Sequence, residues 1–291
     1  MNKIICFVML CITLTSCNNQ SKQGATQALN EKLEPVVDIK ELTGDYMTWW
    51  SYHYYNISLA SDFEALDENF KAVSKGKFLE SLTSGKFIAV EMKTEDTRIY
   101  KLYELPKGVE KSISKTISST AGIHLKYYQM EGHEFPEIDI VDLEGNSYNN
   151  EDLKGKITVF KTWFINCKPC IEEMPELNRL VSKYENNENI QFLSLALDKK
   201  EPLQEFLKKK EFKYAVIADQ KELIVNQLNL RAYPRHIIVD ENGRFKKVLE
   251  TAPELISYLE NEKSVTKKPT KINLPVPPPS EPIGNTKKSE G

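Results

Sequence analysis

The chain has 291 residues, 40% of them hydrophobic and 28% charged, which suits two folded domains better than one. Its 39 basic and 42 acidic side chains leave a net charge of −3, which gives no global electrostatic case for nucleic acid. No run of about 18 apolar residues occurs, which excludes an ordinary spanning helix.

At the start, Met1 to Lys3 and the apolar run Ile4–Leu14 read as a secretion signal, because the run is too short to span and turns abruptly polar. Leu14-Thr15-Ser16-Cys17 resembles the bacterial lipobox. Cys17 is therefore the expected lipid acceptor, with residues 1–16 removed and 17–39 forming a tether from the bilayer. Plain signal cleavage without lipid is the rival reading. The expected location is the bacterial cell envelope, facing the periplasm. Of five cysteines, Cys6 and Cys11 leave with the signal and Cys17 is blocked, so Cys167 and Cys170 remain. At the far end, residues 262–291 hold six prolines among lysines and serines, a composition that cannot bury enough surface to fold.

Residues 40–128 read as a small α+β domain of unassigned role. The aromatic run Tyr46–Tyr55 suits a strand, and Ser61-Asp-Phe-Glu64 suits a capping box opening a helix through Phe63, Leu66, Phe70 and Val73. Phe87–Met92 and Arg98–Leu105 read as a hairpin. His53 and His124 fall in different elements and make poor metal ligands.

From residue 130 to 261, strands and helices alternate. Strands are expected at Pro136–Val141, Ile157–Ile165, Ile190–Leu197, Tyr214–Ala218, His236–Val239 and Arg244–Leu249. Helices are expected at Cys170–Tyr184, Pro202–Lys209, Glu222–Leu228 and Pro253–Glu260. This order specifies an α/β domain whose mixed sheet is covered on both faces.

Cys167-Lys168-Pro169-Cys170 lies where a buried strand gives way to a helix. The helix start offers unpaired N–H groups and the positive end of the dipole, both of which favour a thiolate. Cys167 should be exposed there as the nucleophile, with Cys170 one turn inward as the resolving thiol. Lys168 adds positive charge, and Pro169 suits the first turn. A structural bridge only three residues apart closes almost no loop, so stability is a weak reason for the pair. No metal is expected: zinc would need two more ligands, and His133 and His236 look isolated. No cofactor is expected either.

Phe160–Leu177 (FKTWFINCKPCIEEMPEL) resembles the active-site segment of the thioredoxin-like TlpA family of membrane-tethered thiol–disulfide oxidoreductases. Ala232–Arg244 (AYPRHIIVDENGR) is similar to that family's segment around its cis-proline. The resemblance implies a thioredoxin fold over about residues 130–261, following the small α+β domain. It also implies a Cys167–Cys170 redox disulfide, a cis Pro234 beside it, and a substrate-binding set of Tyr233, Pro234 and Trp163, the last a core aromatic under the site. Glu173 matches the family's acid–base glutamate, or else is an ordinary first-turn acid. Lys161 departs from the family, whose members often carry Asn there, and a buried lysine must be paired, neutral or snorkelling. Asn166 replaces an aromatic and makes the rim more polar.

The expected activity is reduction of disulfides in exported client proteins, with a membrane thiol reductant restoring the dithiol. A thiol peroxidase shares the fold, but Phe164 stands where its usual Thr would precede the first Cys. A non-enzymatic surface-binding lipoprotein is the other alternative.

Overall fold

The computed structural model describes residues 33–95 and 97–260. The expected signal segment, Cys17 and the tail at 262–291 lie outside the described residues. Among those residues, no helix is long and apolar enough to cross a membrane.

The first unit is α+β, as expected, but several of its elements differ from the sequence reading. Helix α1 (Ile39–Leu42) and helix α2 (Tyr46–Asn56) come first. The aromatic run is thus a helix, not a strand. Asp45 caps it through the Thr48 N–H, and at successive turns Tyr46 stacks on Trp50, which meets Tyr54 at a tilt. Capping and ring packing at helical spacing outweigh the β-propensity of isolated aromatics.

The expected capping box also fails. Ser61 Oγ bonds Ser58 Oγ at 2.7 Å, and Glu64 opens strand β1 (Glu64–Leu66), which turns back into β2 (Ala72–Val73). Asp67 Oδ1 accepts the N–H groups of Asn69 and Lys71, at 2.9 Å each, and so closes that turn. Phe63 packs on Phe78 and Tyr100 rather than along a helix.

Helix α3 (Lys75–Thr83), strand β3 (Phe87–Glu91) and strand β4 (Ile99–Glu104) follow, and β3 with β4 forms the expected antiparallel hairpin. The sheet order is β2-β1-β4-β3, with β1 parallel to β4. Helix α4 (Lys111–Met130), which the sequence reading did not assign, packs on α3. Its approach is close: Ser114 Oγ donates to Gly85 O at 2.7 Å, and Gly85 has φ +65°. A Cβ on Gly85 would lie 2.6 Å from Ser114 Oγ. Ile113, Ile117 and Ala121 of α4 join Trp49, Phe78 and Leu102 in the core of this unit. The helix runs through 128–130, where a domain boundary was expected.

A hairpin of β5 (Asp139–Val141) and β6 (Ser147–Asn149), then a short α5 (Asn150–Leu153), lead into the second unit. Its five-stranded sheet comprises β7 (Ile157–Trp163), β8 (Ile190–Ala196), β9 (Ala215–Ile217), β10 (Arg235–Val239) and β11 (Phe245–Leu249). The order is β11-β10-β7-β8-β9; β7, β8 and β9 are parallel, and β10 is antiparallel to both its neighbours. This is the expected thioredoxin-type mixed sheet.

The helix expected over Cys170–Tyr184 is two helices, α6 (Lys168–Glu172) and α7 (Met174–Lys183), broken at Glu173. Pro175 lacks the N–H that would bond Ile171 O, so the helix cannot continue unbroken. Helix α8 (Lys200–Leu207), a π-helical segment (Glu222–Gln227) in place of the expected short α-helix, and α9 (Ala252–Glu260) complete the unit.

Candidate active site

Strand β7 alternates between two cores. Phe160 faces one with Leu195, Ile237 and Tyr127 of α4, while Val159 and Trp163 face the other, under the α6–α7 segment. Lys161 shares the second face. In register it pairs with Ser194 on β8 and His236 on β10, so a polar row crosses the sheet. All three are fully buried. That row divides the apolar core into a Val159–Leu177–Ile238 cluster and a Trp163–Cys167–Cys170 cluster.

Cys167 is the N-cap residue of α6 and is joined to Cys170 by a disulfide. Its carbonyl accepts the Ile171 N–H at 3.1 Å, and Pro169 sits in the first turn, where its missing N–H leaves nothing unbonded. The loop before it is held by Asp198, whose Oδ2 accepts the Ile165 N–H at 2.8 Å. Cys167 is 5% exposed and Cys170 is 0% exposed. The expected order of accessibility holds, but Cys167 is not the open residue the sequence suggested. Half-buried Phe164, Ile165, Ile171 and Tyr233 form an apolar collar around the pair. Asn166 is exposed, so the rim does contain the expected polar position.

The Tyr233–Pro234 peptide is cis, and the Tyr233 ring meets Phe164 edge-on at 5.5 Å. Trp163 is wholly buried between Phe206 and Phe212, so it supports the site from below and touches no substrate. This corrects its place in the expected substrate-binding set. Among the described residues no group of His, Cys, Asp and Glu could hold a metal.

Glu173 occupies the helix break and is nearly buried. Its Oε1 accepts from Lys161 Nζ and lies 3.2 Å from His236 Nε2, while Oε2 takes the Ala252 N–H at 3.2 Å. Burial pushes its carboxyl up, but His236 and Lys161 outweigh burial and hold it below the usual carboxylate range. Burial lowers the Lys161 ammonium, which Glu173 partly offsets. The buried lysine is therefore paired, and Glu173 is not an ordinary first-turn acid. His236, which looked isolated in sequence, belongs to this trio. The register of two antiparallel strands brings it beside Lys161, and a buried lysine's need for a carboxylate was the only hint of the trio in the sequence.

A groove of about 500 Å³ flanks the site, with Ile171, Met174 and Pro175 on its apolar side and Arg179, Lys209 and Lys210 on its charged side.

The AhpC/TSA family model matches residues 132–248. The thiol–disulfide oxidoreductase ResA of Bacillus cereus is 31% identical over 133 residues, covering 44% of this chain and 76% of that protein. The ResA of Geobacillus thermodenitrificans is 26% identical over 136 residues, covering 45% and 78%. The thioredoxin domain of a Bacteroides vulgatus thiol–disulfide oxidoreductase aligns with TM-score 0.41 and 22% identity, over 45% of this chain and 95% of that one. With a Cys-Lys-Pro-Cys disulfide at a helix start and a ResA relative matched over three quarters of its length, the chain belongs to the TlpA-like, ResA-type family of thioredoxin-fold thiol–disulfide oxidoreductases.

Proposed function

We propose that this thiol–disulfide oxidoreductase is exported, held on a membrane through lipidated Cys17, and reduces disulfides of exported client proteins. The observation that carries the redox part is the Cys167–Cys170 disulfide at the N-terminus of α6, collared by Tyr233 and Phe164. The lipobox-like Leu14–Cys17 supports the tether.

In the reducing direction the Cys167 thiolate attacks a client disulfide, and one client sulfur leaves as a thiolate that takes a proton. A mixed disulfide results. Cys170 loses its proton and attacks Cys167 Sγ, which releases the second client thiol and regenerates the 167–170 bridge. A membrane dithiol donor then supplies two electrons and two protons to reopen it. Glu173, three residues beyond Cys170 at the helix break and paired with Lys161, is the group assigned to accept and return the Cys170 proton. Tyr233 and Pro234 present the backbone edge along which a client segment lies.

Reduction of insulin disulfides by the full chain, with dithiothreitol as electron source, tests the activity. Cys170→Ala should accumulate mixed disulfides with clients through Cys167, and Cys167→Ala should not. Trapping by Cys167→Ala instead would reverse the two roles. Mass spectrometry should find an acylated Cys17 as the first residue of the mature protein. An unmodified Asn18 start would refute the tether. Turnover of hydroperoxide in preference to disulfides would favour the peroxidase alternative.

A further inference from the structure

Neighbouring residues of β10 point to opposite faces of the sheet. His236 joins the Lys161–Glu173 pair, whereas Arg235 turns to the other face and meets helix α4 of the first unit. There its guanidinium is held at three points. Nε donates to the Tyr127 hydroxyl at 3.0 Å, Nη2 pairs with Glu250 Oε1 at 2.8 Å, and Nη1 donates to the Pro234 carbonyl at 2.6 Å. The Tyr127 ring itself is buried in the core of the second unit with Phe160 and Ile237.

The residue before it on α4 grips the same loop from its other end: Lys126 Nζ donates to Asn229 O at 2.6 Å. Asn229 has φ +51°, where the chain leaves the π-helical segment and heads for Tyr233. Two successive side chains of α4 therefore fasten both ends of the segment that carries Tyr233 and Pro234.

The helix is itself anchored on both sides. Its first half is built into the core of the α+β unit through Ile113, Ile117 and Ala121. Around its other end the two units are joined by polar contacts. Lys247 Nζ meets Asp62 at 2.8 Å and Glu131 at 3.0 Å, and Ser58 Oγ donates to Glu254 at 2.6 Å. Burial favours a neutral Tyr127 hydroxyl, which can accept from the guanidinium, and Arg remains charged in proteins. A guanidinium fixed by three partners has little rotational freedom left, so the carbonyl it holds is fixed as well.

We propose that α4 is a positioning element of the thiol–disulfide site: Lys126 and, through Arg235, Tyr127 hold the 229–235 segment and so set the Tyr233–Pro234 edge for the client backbone. This rests on the reading that this edge receives clients. The α+β unit then contributes to the reaction by fixing where a protein disulfide is presented, without touching the sulfurs.

The test uses the full chain and the variants Tyr127→Phe, which removes only a hydroxyl, and Lys126→Met. Hydrogen exchange of the 229–235 amides should quicken in each while β8 stays protected. The KM for insulin should rise about tenfold in the double variant, the size of one lost charge-assisted hydrogen bond. Its kcat, its rate with the small disulfide 5,5′-dithiobis(2-nitrobenzoate) and its reduction potential should hold. Glu250→Gln, which keeps the side-chain volume, should move KM the same way. Unchanged exchange at 229–235 in a folded variant overturns the proposal. So does a parallel loss with the protein and the small disulfide, which would mark general destabilisation. A wild type inactive on every disulfide would sink the proposed function, while the exchange measurement still decides whether α4 holds the loop.

Discussion

The two units bury polar groups in different ways. In the first, the Tyr100 hydroxyl donates to Asn56 O and accepts from Ser58 N, both at 3.0 Å, and the Tyr52 hydroxyl accepts the Glu91 N–H at 2.9 Å. Its buried Lys101 reaches the Glu68 carbonyl and lies over the Phe70 and Tyr103 rings. In the second, Lys161, Glu173 and His236 sit together under the active-site helix. Among the described residues, buried side-chain atoms without a hydrogen-bond partner occur in both units: Trp50 Nε1 and His124 Nδ1 in the first, and Ser194 Oγ, the Tyr214 hydroxyl and Trp163 Nε1 around the trio in the second. Each such group costs about 1–3 kcal/mol. What sets the second unit apart is a carboxylate, a lysine and a histidine buried together at the break that follows the active-site helix.

The sharpest separation should come from Cys167→Ala. Disulfide exchange falls to background in the insulin assay, while thermal unfolding of both units is retained. Activity surviving that substitution would contradict the assignment of the site.

Next in size is the buried trio. Glu173→Ala leaves the buried Lys161 without its counter-charge and His236 without its carboxylate neighbour, and should destabilise the protein by about 3–5 kcal/mol in urea unfolding. The double change Lys161→Met with Glu173→Leu removes both charges together and should recover most of that loss. It should nevertheless slow resolution of the mixed disulfide. Recovery of both stability and rate would mean the pair has no chemical role.

The pH response extends the comparison to the histidines. Burial pushes His53 down to about 4, and it lowers His124 and His236 as well. These groups are neutral in the folded protein and take up protons on unfolding below their ordinary range near 6.5. The stability they confer is therefore whole above that pH and is lost as pH falls through each group's lowered folded-state value, which for His53 is about 4. His53 alone should account for on the order of 2 kcal/mol. His53→Phe, in urea titrations at pH 7 and pH 5, should flatten that dependence.

Smaller again is Gly85→Ala, which forces a side chain against Ser114 at a positive φ and should cost about 1–3 kcal/mol. Its effect should reach the insulin KM only if it shifts α4. Smallest is Lys168→Gln. The side chain is 85% exposed and its ion pair with Glu172, at 3.7 Å, should change stability by less than about 0.5 kcal/mol.

Much of the second unit could be read locally. Ile157–Trp163, Ile190–Ala196 and Arg235–Val239 are strands within a residue or two of expectation, because runs of buried apolar residues bounded by turns leave little choice. The first unit was less legible. Aromatic residues at 46–55 carry strand propensity, yet Asp45 capping and their fit into a core of distant residues made them a helix. Helix Lys111–Met130 mixes serines and threonines with apolar residues, so its period is diluted and only burial of Ile113, Ile117, Ala121, His124 and Tyr127 marks one face.

Cys167 and Cys170 were evident from their spacing at a strand-to-helix junction, since the chemistry there depends on neighbours three residues apart. The identity of Glu173 as a candidate was also local. Its actual partners were not: Lys161 is 12 residues away in sequence, and His236 comes from another strand altogether. The same holds for Arg235, whose partner Tyr127 lies 108 positions earlier. Spacing along the chain specifies groups that share one element. Pairs formed across strands and between units depend on register and on the angle at which a helix docks, and these emerge only when the whole chain packs.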